Sequence, residues 1–469
     1  MTVLDGGAGV VEIATAVRGG QVSALDVAQA ALHRVEGAQT RLNAFTTVTA
    51  ERALTAAADI DRRVAAGDPV GALAGVPFAV KDLFDLAGEV TAAGSAVLAN
   101  RPPAERDAAA VERLTAADAV PIGATTMDEF AFGFTTENTH YGPARNPHDP
   151  ARTPGGSSGG SAAAVGGGLV PLALGTDTNG SVRVPASLCG LFGLKPTYGR
   201  LDRRGVQLFS DSLDHVGAFA RSARDLRAWF SVADEGLYGK SRADDGKSFD
   251  VGQLRVARLG GWFQDNAGEA ALDALSAVAD AMGADRTPAM LPLAEAAHAA
   301  ASVITYAEAG ELHLDRIRSE RDRFDPVVRH RLVAAALLPA DWYLRAQRLR
   351  QVWVDQLDEL FGGYDVLLAP ATPFPAPVIG TETVEINGRD LPARPAVGWL
   401  TQPLTPTGVP IGVAPMMPAG SSMPIGVQVI AKANNEPTVL AVLAALEDLG
   451  VTTCVVASGQ AEQNHNESS

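Results

Sequence analysis

Two short segments hold the side chains that could do chemistry. Gly155-Gly156-Ser157-Ser158-Gly159-Gly160-Ser161 is the first. Asp177-Thr178-Asn179-Gly180-Ser181-Val182-Arg183 is the second, with Ser181 standing 24 residues beyond Ser157. Glycines around a serine let backbone N–H groups come close to a substrate oxygen, the arrangement an oxyanion hole needs. A serine nucleophile further needs a proton acceptor within reach. Histidine is the usual one, yet His215, His298, His313, His330 and His465 all lack a distinctive local context. A lysine desolvated on a buried strand can serve instead, because burial favours its neutral form. Lys81 closes the apolar run Val76-Pro77-Phe78-Ala79-Val80 and is the candidate. The alternative is a lysine that merely caps the strand at the surface, which composition alone favours.

Three other readings of the glycine-serine segment compete. A flexible linker fails because the segment runs into an apolar helix and strand rather than a polar tract. A phosphate-binding loop fails because Ser161 stands where the phosphate-reaching lysine must be. A nucleophile elbow matches Gly155-Gly156-Ser157-Ser158-Gly159 as G-x-S-x-G. It requires a strand directly before it, and Arg145-Asn146-Pro147-His148-Asp149-Pro150 cannot be a central strand. The elbow therefore ranks behind a reading that uses both serines.

The elements that must position these groups alternate in type. Ser23, with Asp26 three residues on, resembles a capping box opening a helix from Ala24 to Val35. A second helical pattern runs from Ala50 to Ala66 and stops at Gly67. Short apolar runs predict strands over Val76–Lys81, Val120–Ala124, Leu172–Gly175, Asp365–Ala369 and Gly426–Ile430. Asp107–Ala117, a small-residue segment from Ala162, Trp342–Leu360 and Val439–Leu449 read as helices, and residues 142–160 as loop. Helices alternating with buried strands predict an α/β class built on a mixed central sheet covered by helices on both faces. We expect one domain over 1–456, with a helical N-terminal segment of about seventy residues packed on the core. The polar tail from Ala457 to Ser469 is expected to be disordered.

Composition removes several classes of function. The 469 residues carry 38 Lys+Arg against 54 Asp+Glu, a net charge of −16, which disfavours a free-standing nucleic-acid binder. Cys189 and Cys454 are too few for a disulfide framework or a zinc site. The apolar stretch Ala162–Gly175 is too short and too broken by glycine and Pro171 to span a bilayer. The first twenty residues lack a signal-peptide pattern, so a cytoplasmic protein is expected.

Taken together, Val76 through Asp82, Gly155 through Val165, Gly175 through Ala186 and Gly190-Leu191-Phe192-Gly193-Leu194-Lys195-Pro196-Thr197-Tyr198-Gly199-Arg200 resemble the amidase signature family. The resemblance covers nearly the whole chain. It implies the amidase-signature fold and hydrolysis of an amide through an acyl-enzyme, with no metal or cofactor. By motif, it makes Ser181 the nucleophile, Ser157 the bridging serine and Lys81 the base. The backbone amides of Thr178, Asn179, Gly180 and Ser181 would form the oxyanion hole. One position departs from the pattern: the family generally has Gly or Ala where Asn179 stands. Asn tolerates unusual backbone angles, and its side chain could reach the acyl pocket as a donor.

Within the family the chain is similar to the branch that hydrolyses small urea-like or carboxylated amides such as 1-carboxybiuret, releasing ammonia in nitrogen metabolism. Phe134 through Pro143, Asp177 through Ser181, Gly260-Gly261-Trp262-Phe263 and Trp342 through Arg348 carry that likeness. The alternatives are the glutaminase component of tRNA-linked amidotransferases, which feeds ammonia to a partner, or an amidase for another small amide. A carboxylated substrate calls for a cationic fork. Arg350 follows from a loose match to the amidotransferase helix, against its reading as a solvated charge. Asn179 and Tyr141, and more weakly Thr136 and Asn138, are pocket candidates that could equally be turn residues. Arg183 is expected to order the nucleophile loop. Both branches imply an oligomer and a small helical accessory subunit, with no direct nucleic-acid contact.

Overall fold

The apolar runs form strands that are buried along their whole length, as expected of strands covered on both faces. A computed structural model describes residues 3–234 and 251–454. The polar tail and His465 lie outside the described residues. Eleven strands build the main sheet: β1 (Phe45–Val48), β2 (Pro77–Lys81), β3 (Val120–Thr125), β4 (Leu172–Asp177), β5 (Phe192–Lys195), β6 (His215–Ala220), β7 (Val256–Leu259), β8 (Asp285–Ala289), β9 (Val366–Pro370), β10 (Ile411–Met416) and β11 (Ile425–Ala431). Their spatial order is β1-β3-β2-β4-β6-β5-β10-β11-β9-β7-β8. The sheet is mixed: β2 runs parallel to both β3 and β4, whereas β4 pairs antiparallel with β6.

Helices flank this sheet. We number those used below α1 (Ala24–Leu42), α2 (Ala50–Ala66), α3 (Gly159–Gly166), α4 (Arg183–Cys189), α5 (Ala294–Glu320), α6 (Pro326–Ala335), α7 (Ala340–Gly363) and α8 (Glu436–Asp448). Ser23 caps α1 as its sequence implies, its side chain accepting from the Asp26 N–H at 3.1 Å, a contact worth about 1 kcal/mol. The helix runs past the predicted end at Val35 because Ala38 and Leu42 continue its buried face. α2 keeps its predicted bounds, and Gly67 ends it in the left-handed region at φ 74°. The structure adds six strands, β1, β5, β6, β7, β8 and β10, to the five predicted, and departs from the sequence-based expectation elsewhere too. α3 begins at Gly159, inside the stretch read as loop, and residues 137–138 pair with 142–143 as a small hairpin. The 27-residue α5, packed on α6 and α7, has no counterpart in the sequence reading, because its alanine-rich sequence gives no sharp apolar stripe.

The parallel arrangement of β2 and β4 matters most for function. Their carboxyl ends lie side by side, placing Lys81 next to the β4 terminus and the two loops that carry the serines. Crevices outside the carboxyl ends of parallel strands are the usual binding place in open α/β sheets. Among the described residues, no helix is long and apolar enough to cross a membrane.

Candidate active site

Lys81 is fully buried, not a surface cap. Its Nζ donates to Ser157 Oγ at 2.8 Å and to Thr176 Oγ1 at 2.9 Å. Burial pulls its pKa down to about 7, with the carboxylates of Asp128, Asp214 and Asp177 partly opposing the shift. An amine in this state can give up or take a proton near neutrality. The local sequence dictates the placement: an apolar strand drags its last residue inward, and hydroxyls on the neighbouring loop and strand satisfy the buried amine.

The first serine segment is clamped onto β4. Ser158 Oγ donates to the Thr176 carbonyl at 3.2 Å, and the Asp128 N–H donates to the Ser157 carbonyl at 3.2 Å. Glycine is needed beside Ser157 because a Cβ on Gly156 would lie 2.3 Å from Asp128 Oδ2 and 2.6 Å from the Thr135 nitrogen. The peptide joining Gly156 to Ser157 is cis.

The second segment follows β4 and enters α4. Asp177 and Arg183 are both fully buried and pair through Oδ2 to Nε at 3.0 Å and Oδ1 to Nη2 at 2.9 Å. Asp177 Oδ2 also accepts the N–H groups of Val182 and Arg183. Burial works against the Asp177 charge, but Arg183 overrides it and holds the carboxyl well below the usual range. Arg183 Nη1 further donates to the Thr401 carbonyl and Gln428 Oε1. It orders the loop, as expected. The loop between is fastened by Thr178 Oγ1 donating to Asp214 at 2.6 Å and Thr401 Oγ1 donating to the Asn179 carbonyl at 2.7 Å. Gly180 adopts φ 138°, and a Cβ there would sit 2.1 Å from Thr401 Oγ1. The N–H groups of Thr178, Asn179, Gly180 and Ser181 have no acceptor among the described residues, although all four residues are buried. Buried backbone donors are nearly always paired. Four in a row beside a serine are a natural cradle for a negatively charged oxygen.

Ser181, Thr178 and Asn179 line a cavity of about 130 Å³ that also meets Asp128, Arg331 and Arg394. That is small beside the roughly 300–1,000 Å³ of pockets for drug-sized ligands. Burial raises the Asp128 pKa to about 6, opposed by the Thr136 N–H and by Lys81, Arg394 and Arg331. No histidine hydrogen-bonds to either serine among the described residues. His215, at the start of β6, uses Nδ1 on the carbonyls of Leu213 and Asp177, and burial holds its pKa well below the usual value.

Other expected pocket residues fall elsewhere. Arg350 donates to the carbonyls of Pro406 and Ser212 and lines a separate surface groove, so it does not meet the Ser181 cavity. Tyr141 is likewise outside that cavity; its carbonyl accepts from Asn43. Asn138 does line it, but its amide is consumed by the Gly94 and Met127 carbonyls and the His140 and Tyr141 N–H groups. Thr136 braces the first serine segment by bonding to Gly155 and Gly159. Asn179 lines the cavity, but its side chain is not the free donor expected. Its Nδ2 donates to Thr305 Oγ1 at 2.8 Å, and its buried Oδ1 has no partner among the described residues. Sequence reasoning assigned no role to Arg331, Arg394 or Thr176; Arg331 and Arg394 lie on helices that it did not read.

Comparison with known proteins identifies the family. The family model described as Amidase matches residues 26–440. The chain is 49% identical over 454 residues to the AtzE component of 1-carboxybiuret hydrolase from Pseudomonas sp. (strain ADP), covering 94% of this chain and 98% of the relative. It is 35% identical over 476 residues to the A component of glutamyl-tRNA(Gln) amidotransferase from Carboxydothermus hydrogenoformans (strain ATCC BAA-161 / DSM 6008 / Z-2901), covering 93% and 96%. A solved structure of a vestigial protein complex, which bears on the evolutionary origins of an s-triazine catabolic enzyme, superposes with TM-score 0.91. That match has 48% identity over 96% of this chain and 100% of the other.

Proposed function

The chain belongs to the amidase family of amide C–N hydrolases, and we propose that it cleaves a small carboxylated urea-like amide such as 1-carboxybiuret through a Ser181–Ser157–Lys81 triad. The observation that carries the reading is the buried Lys81 Nζ at 2.8 Å from Ser157 Oγ, with its pKa pulled down to about 7. In the neutral state Lys81 accepts the Ser157 proton while Ser157 accepts the proton of Ser181. Ser181 Oγ bonds to the amide carbon, and the oxygen takes up negative charge within reach of the 178–181 N–H groups. Each well-placed donor of this kind is worth roughly 3–4 kcal/mol in the transition state. The C–N bond then breaks as the proton returns through Ser157 to the leaving nitrogen, releasing ammonia. Water attacks the acyl-enzyme with the same base and restores Ser181.

The amidotransferase reading comes second, supported by the relatives at about 35% identity. The 49% relative and the small cavity favour a free small amide. We also propose that a small helical accessory subunit binds this chain, in keeping with the complex formed by the structurally similar enzyme. The test is ammonia release from 1-carboxybiuret and, separately, from glutamine. Ser181→Ala and Lys81→Met should each lose about 10³-fold or more in kcat. Undiminished turnover by Ser181→Ala would overturn the triad, and glutamine as the better substrate would favour the second reading. Full activity with no copurifying small protein would remove the accessory subunit.

A further inference from the structure

We propose that Phe134 sets the upper size limit on the non-reacting end of the substrate and so restricts the chain to short, unbranched amides. This rests on the amide-hydrolase reading above and deepens it by naming the wall that selects the substrate. Phe134 and Ser181 line the same cavity. The Phe134 ring lies against Gly398, where a Cβ would come within 2.7 Å of the ring carbons Cζ, Cε1 and Cε2. Gly398 does not adopt a left-handed φ, so its backbone conformation does not call for glycine. The ring does. A side chain at 398 and the Phe134 ring exclude each other.

The ring has no room to retreat. It packs on a buried apolar cluster of Val184, Leu188, Ala376, Val397 and Met423. Such interiors are close-packed, so pushing the ring further in would displace other side chains. The Phe134 backbone is equally fixed. A Cβ on Gly156 would lie 2.7 Å from the Phe134 carbonyl carbon, so the first serine segment passes directly against it. Gly398 in turn begins the turn that holds the second segment. Its carbonyl accepts from the Thr401 and Gln402 N–H groups, and Thr401 Oγ1 donates to the Asn179 carbonyl. Phe134 therefore touches the supports of both serines, one through its backbone and the other through its ring.

The other rings of the lining give no space either. Phe132 is wedged between Phe209 and Tyr306, with ring centroids 4.8 and 5.0 Å away, and the Arg331 guanidinium lies over it, 5.4 Å from its centroid. All four of these residues line the cavity of about 130 Å³. A substrate with a ring or a branch at its non-reacting end would have to move one of these walls. Phe134 is the wall whose truncation enlarges the site, because losing its ring would join the cavity to the apolar cluster behind it. Apolar pockets discriminate by about 10- to 200-fold for a single methylene.

Two serine-reactive probes of different bulk test this. Methanesulfonyl fluoride and phenylmethanesulfonyl fluoride both sulfonylate a nucleophilic serine: the serine oxygen bonds to sulfur, the S–F bond breaks and fluoride leaves. The methyl or benzyl group takes the place of the non-reacting end. Peptide mass spectrometry follows modification of Ser181 over time. Phe134→Ala should raise the rate ratio of the larger to the smaller probe about 10- to 100-fold over that of the unmutated chain. Phe134→Leu, a smaller change that keeps the test open if the alanine variant does not fold, should raise it less. An unchanged or lowered ratio with Ser181 still labelled would overturn the assignment. So would loss of labelling by both probes in a leucine variant whose thermal melt is unchanged, since Phe134 would then brace the loop and not limit size. Failure of the smaller probe to label Ser181 in the unmutated chain is a distinct result. It would overturn the triad, and the size limit with it.

Discussion

At the scale of single residues, the chemistry turns on the protonation of one amine. Lys81 is neutral only above its pKa of about 7. A base must be neutral to accept a proton, so kcat/KM should rise with pH through about 7 and level off above it. Asp128 attracts the protonated amine and raises its pKa. Asp128→Asn removes that attraction while keeping an acceptor for the Thr136 N–H, so the acid limb should move to lower pH. A pH profile of both proteins checks the sign; a shift to higher pH would contradict the assignment. Asn179 illustrates the limit of residue-level reading. Its presence in the loop is plain from the sequence, but that its amide nitrogen is spent on Thr305, 126 residues further along, is not.

Elements supply what single residues cannot. The nucleophile loop spans the end of β4 and the start of α4, and one buried ion pair fastens both. Removing one partner of such a pair strands the other charge in a dry interior, at a cost of about 3–5 kcal/mol. Asp177→Ala should therefore lower the urea-unfolding free energy by that amount and abolish turnover, since Val182 and Arg183 also lose their backbone acceptor. A variant of unchanged stability would show that Arg183 can be satisfied by Thr401, Thr405 and Gln428 alone. Five strands, β2, β3, β4, β9 and β11, are readable because their apolar runs admit few alternatives, whereas the other six of the main sheet are not. α5 is not, since alanine satisfies a helix without declaring which side faces the core.

For the whole molecule, the net charge of −16 and pI of about 5.0 bear on partners rather than fold. Binding to tRNA draws its affinity from neutralised phosphates. The purified chain should therefore show no retention of tRNA in filter binding even at about 50 mM salt, where such contacts are strongest. Salt-sensitive binding by the chain alone would lift the amidotransferase reading. The sheet also acts at this scale. It sets β2 beside β4, so that Lys81 and Thr176, 95 residues apart in sequence, come within 2.9 Å.

The sequence by itself determined the serines, the lysine, the glycines that admit backbone to a carbonyl, and the alternation of elements that makes an α/β sheet. Those properties are local: a residue type, a spacing, an apolar run. Only the tertiary structure decided that Lys81 is sealed from water, that Arg350 faces a different groove, and that Arg331 stands over Phe132 in the cavity of Ser181. Burial, and the identity of a charge's partner, depend on which distant segments pack together, and no local pattern in α6 or α7 encodes that.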